Sequence, residues 1–323
     1  MRRVVITGSC GFIGRQMAEM LREHGFDVWG IDQNPDGAHQ VIQADLLNPG
    51  ETAQAFETIG HFDVLIHLSA LSTGTKPPEG YTLETVNVAI TENILQAVAD
   101  VGLFVYFSST TVYGEEGRTG FVSPRDELRP ASPYGIGKKR CEEMLRATSA
   151  TSCATSATSC ATSATSCATS ATTGAGNFRS LAICRPTPVY SEQRLRNMRM
   201  RACFPFTHLK IKIYPNPSYS LCHLDTVLRT VLDIVVADKP GLSIRNLADA
   251  TPYRQNDIAD RFPGISWPVF TALFWPFYAV LKMIPGNMSY ALRCKYRKLF
   301  GSCLYDTEVV EEPQTQQPPV PPP

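Results

Sequence analysis

At 323 residues with 43% hydrophobic content, the chain is long enough for one large globular unit or two smaller ones with a sizeable core. Its 30 Lys and Arg balance its 30 Asp and Glu, so no net field draws in nucleic acid or an acidic membrane, and a small-molecule ligand is the default expectation. Of the ten cysteines, Cys153, Cys160 and Cys167 belong to a repeat and the rest are scattered without a CxxC pair or a metal-ligand spacing, which argues for free thiols.

The opening "MRRVVITGSCGFIG" has an apolar stretch too short for a signal-peptide core, and a cytoplasmic protein is expected. Val4 to Thr7 reads as a strand, "TGSCGFIG" as a glycine-rich turn, the pattern through Met17, Met20 and Leu21 as a helix, and "FDVWGID" as a second strand ending at Asp32. Gly8, Gly11 and Gly14 let the backbone turn tightly and approach a pyrophosphate, whose charge meets N–H groups at the helix start. Asp32 stands where a carboxylate accepts ribose hydroxyls. It would repel a 2'-phosphate, and no Arg follows it, so NAD is favoured over NADP.

Further strands are predicted at "VLIHLSA" from Val64 and "LFVYFSS" from Leu103, each preceded by a helix, and at "SLAICRP" from Ser180. Such alternation predicts an α/β fold, a Rossmann-like doubly wound parallel sheet, followed by a smaller C-terminal substrate lobe. Ser109 closes the strand from Leu103, at the carboxyl edge where such sheets hold ligands. Tyr134 and Lys138 are four apart, on one face of a helix, where an ammonium lowers the pKa of a phenol that titrates near ~10 in water. His67 and His223 stand without a matching ligand set and read as core or strand-end histidines.

"ATSATSC" recurs from Ala147, Ala154 and Ala161. Small residues cannot fill the a and d positions of a coiled coil, so residues 148–176 are expected to be a disordered low-complexity insertion, with a continuation of the preceding helix as the alternative. Loop-closure cost grows only logarithmically, by about 0.6 kcal/mol per doubling, so an insertion at the surface leaves the Tyr134 helix usable. After Pro186 the chain turns basic, with Arg194 and Arg196 either gripping phosphate or forming a solvated surface. "ISWPVFTALFWPFYAVLKMIP" from Ile265 is too short and too broken by proline to span a bilayer; it is read as a helix covering the core, with attachment to a membrane surface, which the basic "RCKYRK" from Arg293 would assist, as the lesser alternative. The expected division is a NAD-binding domain over 1–185, a substrate lobe over 186–305 and a disordered proline-rich tail over 306–323.

Taken together, TGxxGFIG, the strand-end Asp, "ADL" at Ala44, "HLSA" at His67, "NVAITEN" at Asn87, "SSTTVYG" at Ser108, "YGIGK" at Tyr134 and "RPTPVY" at Arg185 resemble the extended short-chain dehydrogenase/reductase superfamily. The branch they are most similar to is the NAD-dependent epimerase/dehydratase family of nucleotide-sugar enzymes, over roughly residues 1 to 250. That resemblance implies that Gly8, Gly11, Phe12, Ile13 and Gly14 surround the pyrophosphate, Asp32 the ribose, and Asp45 and Leu46 the adenine. Leu68, Ser69, Ala70 and Pro186 would line the cofactor, and Asn87 would support the strand ends. It also implies Tyr134 as base, Lys138 as the group that holds the nicotinamide ribose and lowers the Tyr134 pKa, and Ser109 as the partner of the reacting hydroxyl. The substrate would be a nucleotide-sugar, and a homodimer would pack through the helices at Asn87 and Tyr134.

The chain departs from the family's pattern in five places. "STTVYG" lacks the Asp-Glu pair of the dehydratases, so water elimination is not expected. Pro188 stands for a substrate-binding Asn, Ser191 for a Gly, and Tyr219 and Thr226 for polar groups that would serve a sugar pyrophosphate. A dehydrogenase acting on another alcohol, or a dinucleotide-binding sensor without turnover, are the alternatives.

Overall fold

The computed structural model describes residues 1–35, 37, 39–114, 120–159, 177–203 and 208–312. Its central sheet has eight strands: β1 (Arg3–Thr7), β2 (Asp27–Asp32), β3 (Val41–Gln43), β4 (Val64–His67), β5 (Asp100–Phe107), β6 (Asn177–Pro186), β7 (Gly241–Leu247) and β8 (Val309–Glu312). They lie in the order β8-β7-β6-β5-β4-β1-β2-β3, all parallel except β8, which runs antiparallel to β7. The connecting helices are α1 (Phe12–Glu23), α2 (Pro49–Ile59), α3 (Leu83–Ala97), α4 (Pro133–Ser159), α5 (Leu224–Ala237), α6 (Trp275–Met283) and α7 (Asn287–Phe300).

Side chains alternate across the strands, so each face needs its own cover. Val4, Ile6 and Ile66 pack with Met17 and Leu21 of α1 and Val227 and Val231 of α5. On the other face Val5, Leu65 and Phe104 pack with Phe56 of α2, Ile94 of α3 and Leu145 of α4. This is the doubly wound α/β architecture expected from the alternating pattern, and its strand order reverses between β1 and β4. A crevice opens there at the carboxyl ends of both strands.

Four expectations need correction. The chain does not become a loop at residue 148: α4 runs on to Ser159, matching the alternative reading of the repeat. Once the first turns are nucleated, each added residue gains a hydrogen bond, and Thr148 returns its own hydroxyl to the Met144 carbonyl four residues back at 3.0 Å. The rest of the repeat, 160–176, lies outside the described residues. At the other end, residues 309–312 are not a disordered tail but β8, paired in register with Leu242 to Arg245, while 313–323 again lie outside the description. The boundary placed at 185 falls inside β6, and α5, β7 and β8 beyond it complete the main sheet and its cover.

The fourth correction concerns the aromatic stretch from Ile265. It forms a strand at Ile265–Phe270 paired with Leu209–Tyr214, then a short 3-10 turn and α6, and in α6 only Leu281 is buried. Proline at 268 and 276 splits the run into pieces too short to lie as one helix over the core. Small paired strands at Val189–Tyr190 with Cys222–His223, and Ser218–Tyr219 with Tyr253–Arg254, shape the rest of this side of the molecule. No helix among the described residues is long and apolar enough to cross a membrane.

Candidate active site

The glycine-rich turn joins β1 to α1 at the crevice. Gly8 has φ of +73°, a left-handed conformation that favours glycine, and its N–H donates to the Ile31 carbonyl at 2.8 Å. A Cβ on Gly14 would lie 2.1 Å from the Gly8 carbonyl oxygen, so the helix can approach the turn only without a side chain there. Gly11 is the N-cap of α1 and offers no side-chain cap, and the first turn carries no acid. Backbone N–H groups at this end therefore remain able to meet an anion. Phe12 and Ile13 open the helix, with Ile13 packed on the core and the Phe12 ring beneath the Arg194 guanidinium at 4.6 Å.

Asp32 ends β2 with one carboxylate oxygen accepting from Cys10 N–H at 2.9 Å and the other from Asn34 N–H at 3.0 Å. Each oxygen keeps a lone pair for a further donor. Beside it, Asp45 accepts from Leu47 N–H, whereas the Leu46 side chain is packed into the core and only its carbonyl takes polar contacts, from Thr52 and Asn93. Ser69 reaches the glycine turn: a Cβ on Gly8 would fall 2.9 Å from its N–H nitrogen. Leu68 donates its N–H to Thr7, and Ala70 is half-buried next in line. Asn87 is buried and holds the loop after β4 by accepting from Leu71 N–H at 2.7 Å and donating to the Leu71 carbonyl at 3.1 Å.

His67 is a buried strand-end histidine, with Nδ1 2.7 Å from the Thr7 hydroxyl and Nε2 3.2 Å from that of Thr91. The Thr91 hydroxyl donates to the Asn87 carbonyl, so Nε2–H donates to Thr91 and Nδ1 accepts from Thr7. Burial, with the nearby Lys138 charge, lowers its pKa to about 3 and keeps it neutral.

Ser109 caps the 3-10 turn that follows β5, its hydroxyl oxygen accepting from Thr111 N–H at 3.2 Å and from the Thr111 hydroxyl at 3.0 Å. Its own proton is left for another acceptor. The first turn of α4 packs directly on this segment: a Cβ on Gly135 would stand 2.7 Å from the Thr111 carbonyl oxygen. That close approach brings Tyr134 beside the Ser109 turn. Pro186 ends β6 on the same edge, and its carbonyl accepts from the Thr110 hydroxyl at 3.3 Å.

The Tyr134 hydroxyl makes no hydrogen bond among the described residues, and burial pushes its pKa up to about 12, with Cys141 adding to the rise. Lys138 is buried, donates to the Phe107 carbonyl at 2.7 Å and lies 4.8 Å from the centre of the Tyr106 ring. Burial lowers its pKa to about 8 against the opposing pull of Cys141 and Glu142. The net shift of the Tyr134 phenol is upward because its desolvation dominates, and the Lys138 ammonium is committed to the Phe107 carbonyl.

Sequence reasoning missed the network beneath. Arg185 meets Glu142 of α4 in a fork, Nε to Oε1 at 2.9 Å and Nη2 to Oε2 at 2.6 Å, and donates also to the Tyr113 hydroxyl and the Pro124 carbonyl. Tyr113 passes its proton to Asn246 of β7, which donates to the Val122 and Asp306 carbonyls. The spacing of Glu142 one turn beyond Lys138 was the available signal.

A cavity of about 410 Å³ opens between the start of α1 and the loop after Val189–Tyr190, lined by Gly11, Phe12, Arg15, Ser191, Gln193 and His223 among others. The Ser191 hydroxyl is buried and has no hydrogen-bond partner among the described residues, while Arg194 stands on Phe12 beside it. Of the departures from the family pattern, Tyr219 is buried and donates to the Leu299 carbonyl at 2.6 Å, and Thr226 donates to Asp249 at 2.8 Å. The Arg196 side chain lies outside the description.

Residues 4–185 match the model of the NAD dependent epimerase/dehydratase family. The chain is 28% identical over 165 residues to an uncharacterised UDP-glucose epimerase, YtcB, of Bacillus subtilis, covering 44% of this chain and 50% of that one. It is 30% identical over 146 residues to the UDP-glucose 4-epimerase of Corynebacterium glutamicum, covering 42% of this chain and 43% of the relative. These matches span about half the length of the curated relatives. Among solved structures, the fold is similar to UDP-glucuronic acid 4-epimerase from Bacillus cereus in complex with NAD, with TM-score 0.58 and 19% identity over 92% of this chain and 98% of that one. It is also similar to WbmH of Bordetella bronchiseptica in complex with NAD+, with TM-score 0.59 and 18% identity over 93% of this chain and 100% of that one.

Proposed function

Because the chain belongs to the NAD-dependent epimerase/dehydratase family, we propose that it is an NAD-dependent nucleotide-sugar epimerase or a related sugar oxidoreductase, with Tyr134 as its base. The observation that carries this reading is the packing of Gly135 on Thr111, which brings Tyr134 to the Ser109 turn at the carboxyl edge of the sheet.

The glycine cradle, the uncapped start of α1 and the Asp32 carboxylate fit a dinucleotide: the first two suit a pyrophosphate, the third a ribose diol. Asp32 would repel a 2'-phosphate, which favours NAD. When bound, NAD supplies a hydride acceptor. Gly8, Gly11, Phe12, Ile13, Gly14, Asp32, Asp45, Leu46, Leu68, Ser69, Ala70, Asn87 and Pro186 form its proposed surroundings, Leu46 through its backbone. Ser109 donates its remaining proton to the reacting sugar hydroxyl, and Tyr134 removes that hydroxyl's proton. Lys138 keeps positive charge below the phenol and favours its ionised form. No acid-base pair follows the strand-end Thr, so elimination of water is not part of the reading. A homodimer through α3 and α4 belongs to the same reading.

A second reading, a dehydrogenase acting on another alcohol, is favoured by Tyr219 and Thr226, which turn to Leu299 and Asp249 instead of offering donors to a sugar pyrophosphate. Arg194 and the unpartnered Ser191 hydroxyl supply substitutes on the first reading. The two are separated by incubating the protein and NAD with UDP-, GDP- and dTDP-sugars, following products by NMR and reduced nicotinamide by absorbance. Epimers without net NADH, lost in Tyr134→Phe, support the epimerase. Steady NADH accumulation supports the dehydrogenase, and neither product from any sugar overturns the sugar assignment.

A further inference from the structure

The most apolar run of the chain lies on the outside of the molecule. Trp267 is 57% exposed, Leu273 75%, Trp275 63%, Phe277 58% and Met283 82%. These residues are held in an ordered frame. The Tyr278 ring stacks on Tyr296 of α7 at 4.5 Å, Phe274 stacks on Phe300 at 5.1 Å, and Ser289 and Arg293 of α7 donate to the Leu281 carbonyl. α7 thus backs α6 on one side and leaves aromatic surface outward on the other. Large apolar side chains gathered along one exposed run mark a surface made to be covered.

The charge around the patch says what covers it. From Arg261 to Tyr305 there is no Asp or Glu, while Arg261, Lys282, Arg293, Lys295, Arg297 and Lys298 are all basic, in a chain whose formal net charge is zero. The acid just before this window, Asp260, is already held by Lys212 at 2.8 Å. A second copy of this run would bring further Lys and Arg against it and no Asp or Glu of its own. Anionic headgroups supply that offset, and two of the chain's three tryptophans lie in the patch, a residue suited to the boundary between headgroups and acyl chains.

We propose that the Ile265–Phe300 surface seats the protein on an anionic lipid bilayer, with the aromatic side chains of Ile265–Phe270 and α6 in the interface and the flanking Lys and Arg on the headgroups. The attachment is peripheral. Behind this surface, the Tyr290 hydroxyl of α7 donates to the Arg129 carbonyl at 2.8 Å, in the segment that leads into α4.

The test is co-sedimentation of the full chain with vesicles of equal parts phosphatidylcholine and phosphatidylglycerol, and with phosphatidylcholine alone. Wild type is expected to partition at least about tenfold more strongly to the anionic vesicles and to release with added salt. Trp275→Ser/Phe277→Ser and Lys282→Glu/Lys295→Glu should each lower that partition by about tenfold or more while still binding NADH, which shows that the fold is retained. Equal partition of wild type and both variants overturns the proposal, as does failure of wild type to bind either vesicle. A wild-type dimer by sedimentation velocity that Trp275→Ser/Phe277→Ser converts to monomer, without vesicle binding, overturns it in favour of a self-interface.

Discussion

Glu142 and Arg185 face one another in a two-hydrogen-bond fork with both side chains 1% exposed, joining the helix that carries Tyr134 to the strand that ends at Pro186. Burial alone would lower the Arg185 pKa, but the hydrogen bonds and charge of Glu142 raise it above its ordinary value, so Arg185 stays charged at any physiological pH. Removing one partner leaves the other charge buried and unpaired. Glu142→Ala is expected to cost about 3–5 kcal/mol in urea unfolding, and Glu142→Leu/Arg185→Met less than either single change. A double change that costs as much as the two single changes added together would mean that the fork contributes nothing by itself.

Catalysis should carry the imprint of the raised Tyr134 and the lowered Lys138. Higher pH favours the phenolate, but above about 8 Lys138 loses the charge that supports it. kcat/KM is therefore expected to climb from pH 6 and level off near pH 8. Tyr134→Phe should lower turnover by about 10²–10⁴-fold with dinucleotide affinity retained, and Lys138→Met should remove the bend. A bend that survives in Lys138→Met would assign it to another group.

The glycine turn gives a graded comparison. A Cβ at position 14 meets the Gly8 carbonyl at 2.1 Å, one at position 11 meets it at 3.2 Å. Gly14→Ala is expected to lose about 1–3 kcal/mol of stability together with NADH binding, and Gly11→Ala to change stability little. Thermal melts and NADH fluorescence titration of both variants read this directly.

His67 sets an acid limit. Its pKa falls from 6.5 in the unfolded chain to about 3 in the fold, because burial and the Lys138 charge disfavour the imidazolium. The stability it contributes is complete above pH 6.5 and drains away as pH falls toward 3, since the unfolded chain takes up the proton first. Between pH 6.5 and 5 this amounts to about 2 kcal/mol. The urea midpoint of wild type should drop across that window, and that of His67→Gln should stay nearly flat.

Much of the central sheet was legible because buried parallel strands read as continuous apolar runs, as at Val64 and Leu103, and because glycines and a strand-end Asp mark the first crossover. The reach of the sheet beyond residue 185 was not: β7 carries Ser243, Arg245 and Asn246, and β8 is acidic, so neither reads as a core strand. Tyr134 and Lys138 were visible by spacing, but where Lys138 points depends on the Phe107 carbonyl, which spacing does not encode. The aromatic segment misled most, because apolar composition alone does not say whether a surface faces the interior or something outside the chain.

The antiparallel strand β8 has a consequence for the order in which the molecule assembles. β7 can dock on β6 as soon as residue 247 is available, yet its free edge is covered only when Val309–Glu312 arrives, after the whole aromatic segment has been made. Such distant pairing is slow, and until it forms a nascent chain shows both an open strand edge and a sticky surface to its neighbours. Glu311 and Glu312 on the closing strand then end that exposure with charge, so the late step is also the one that makes the sheet inert toward other chains.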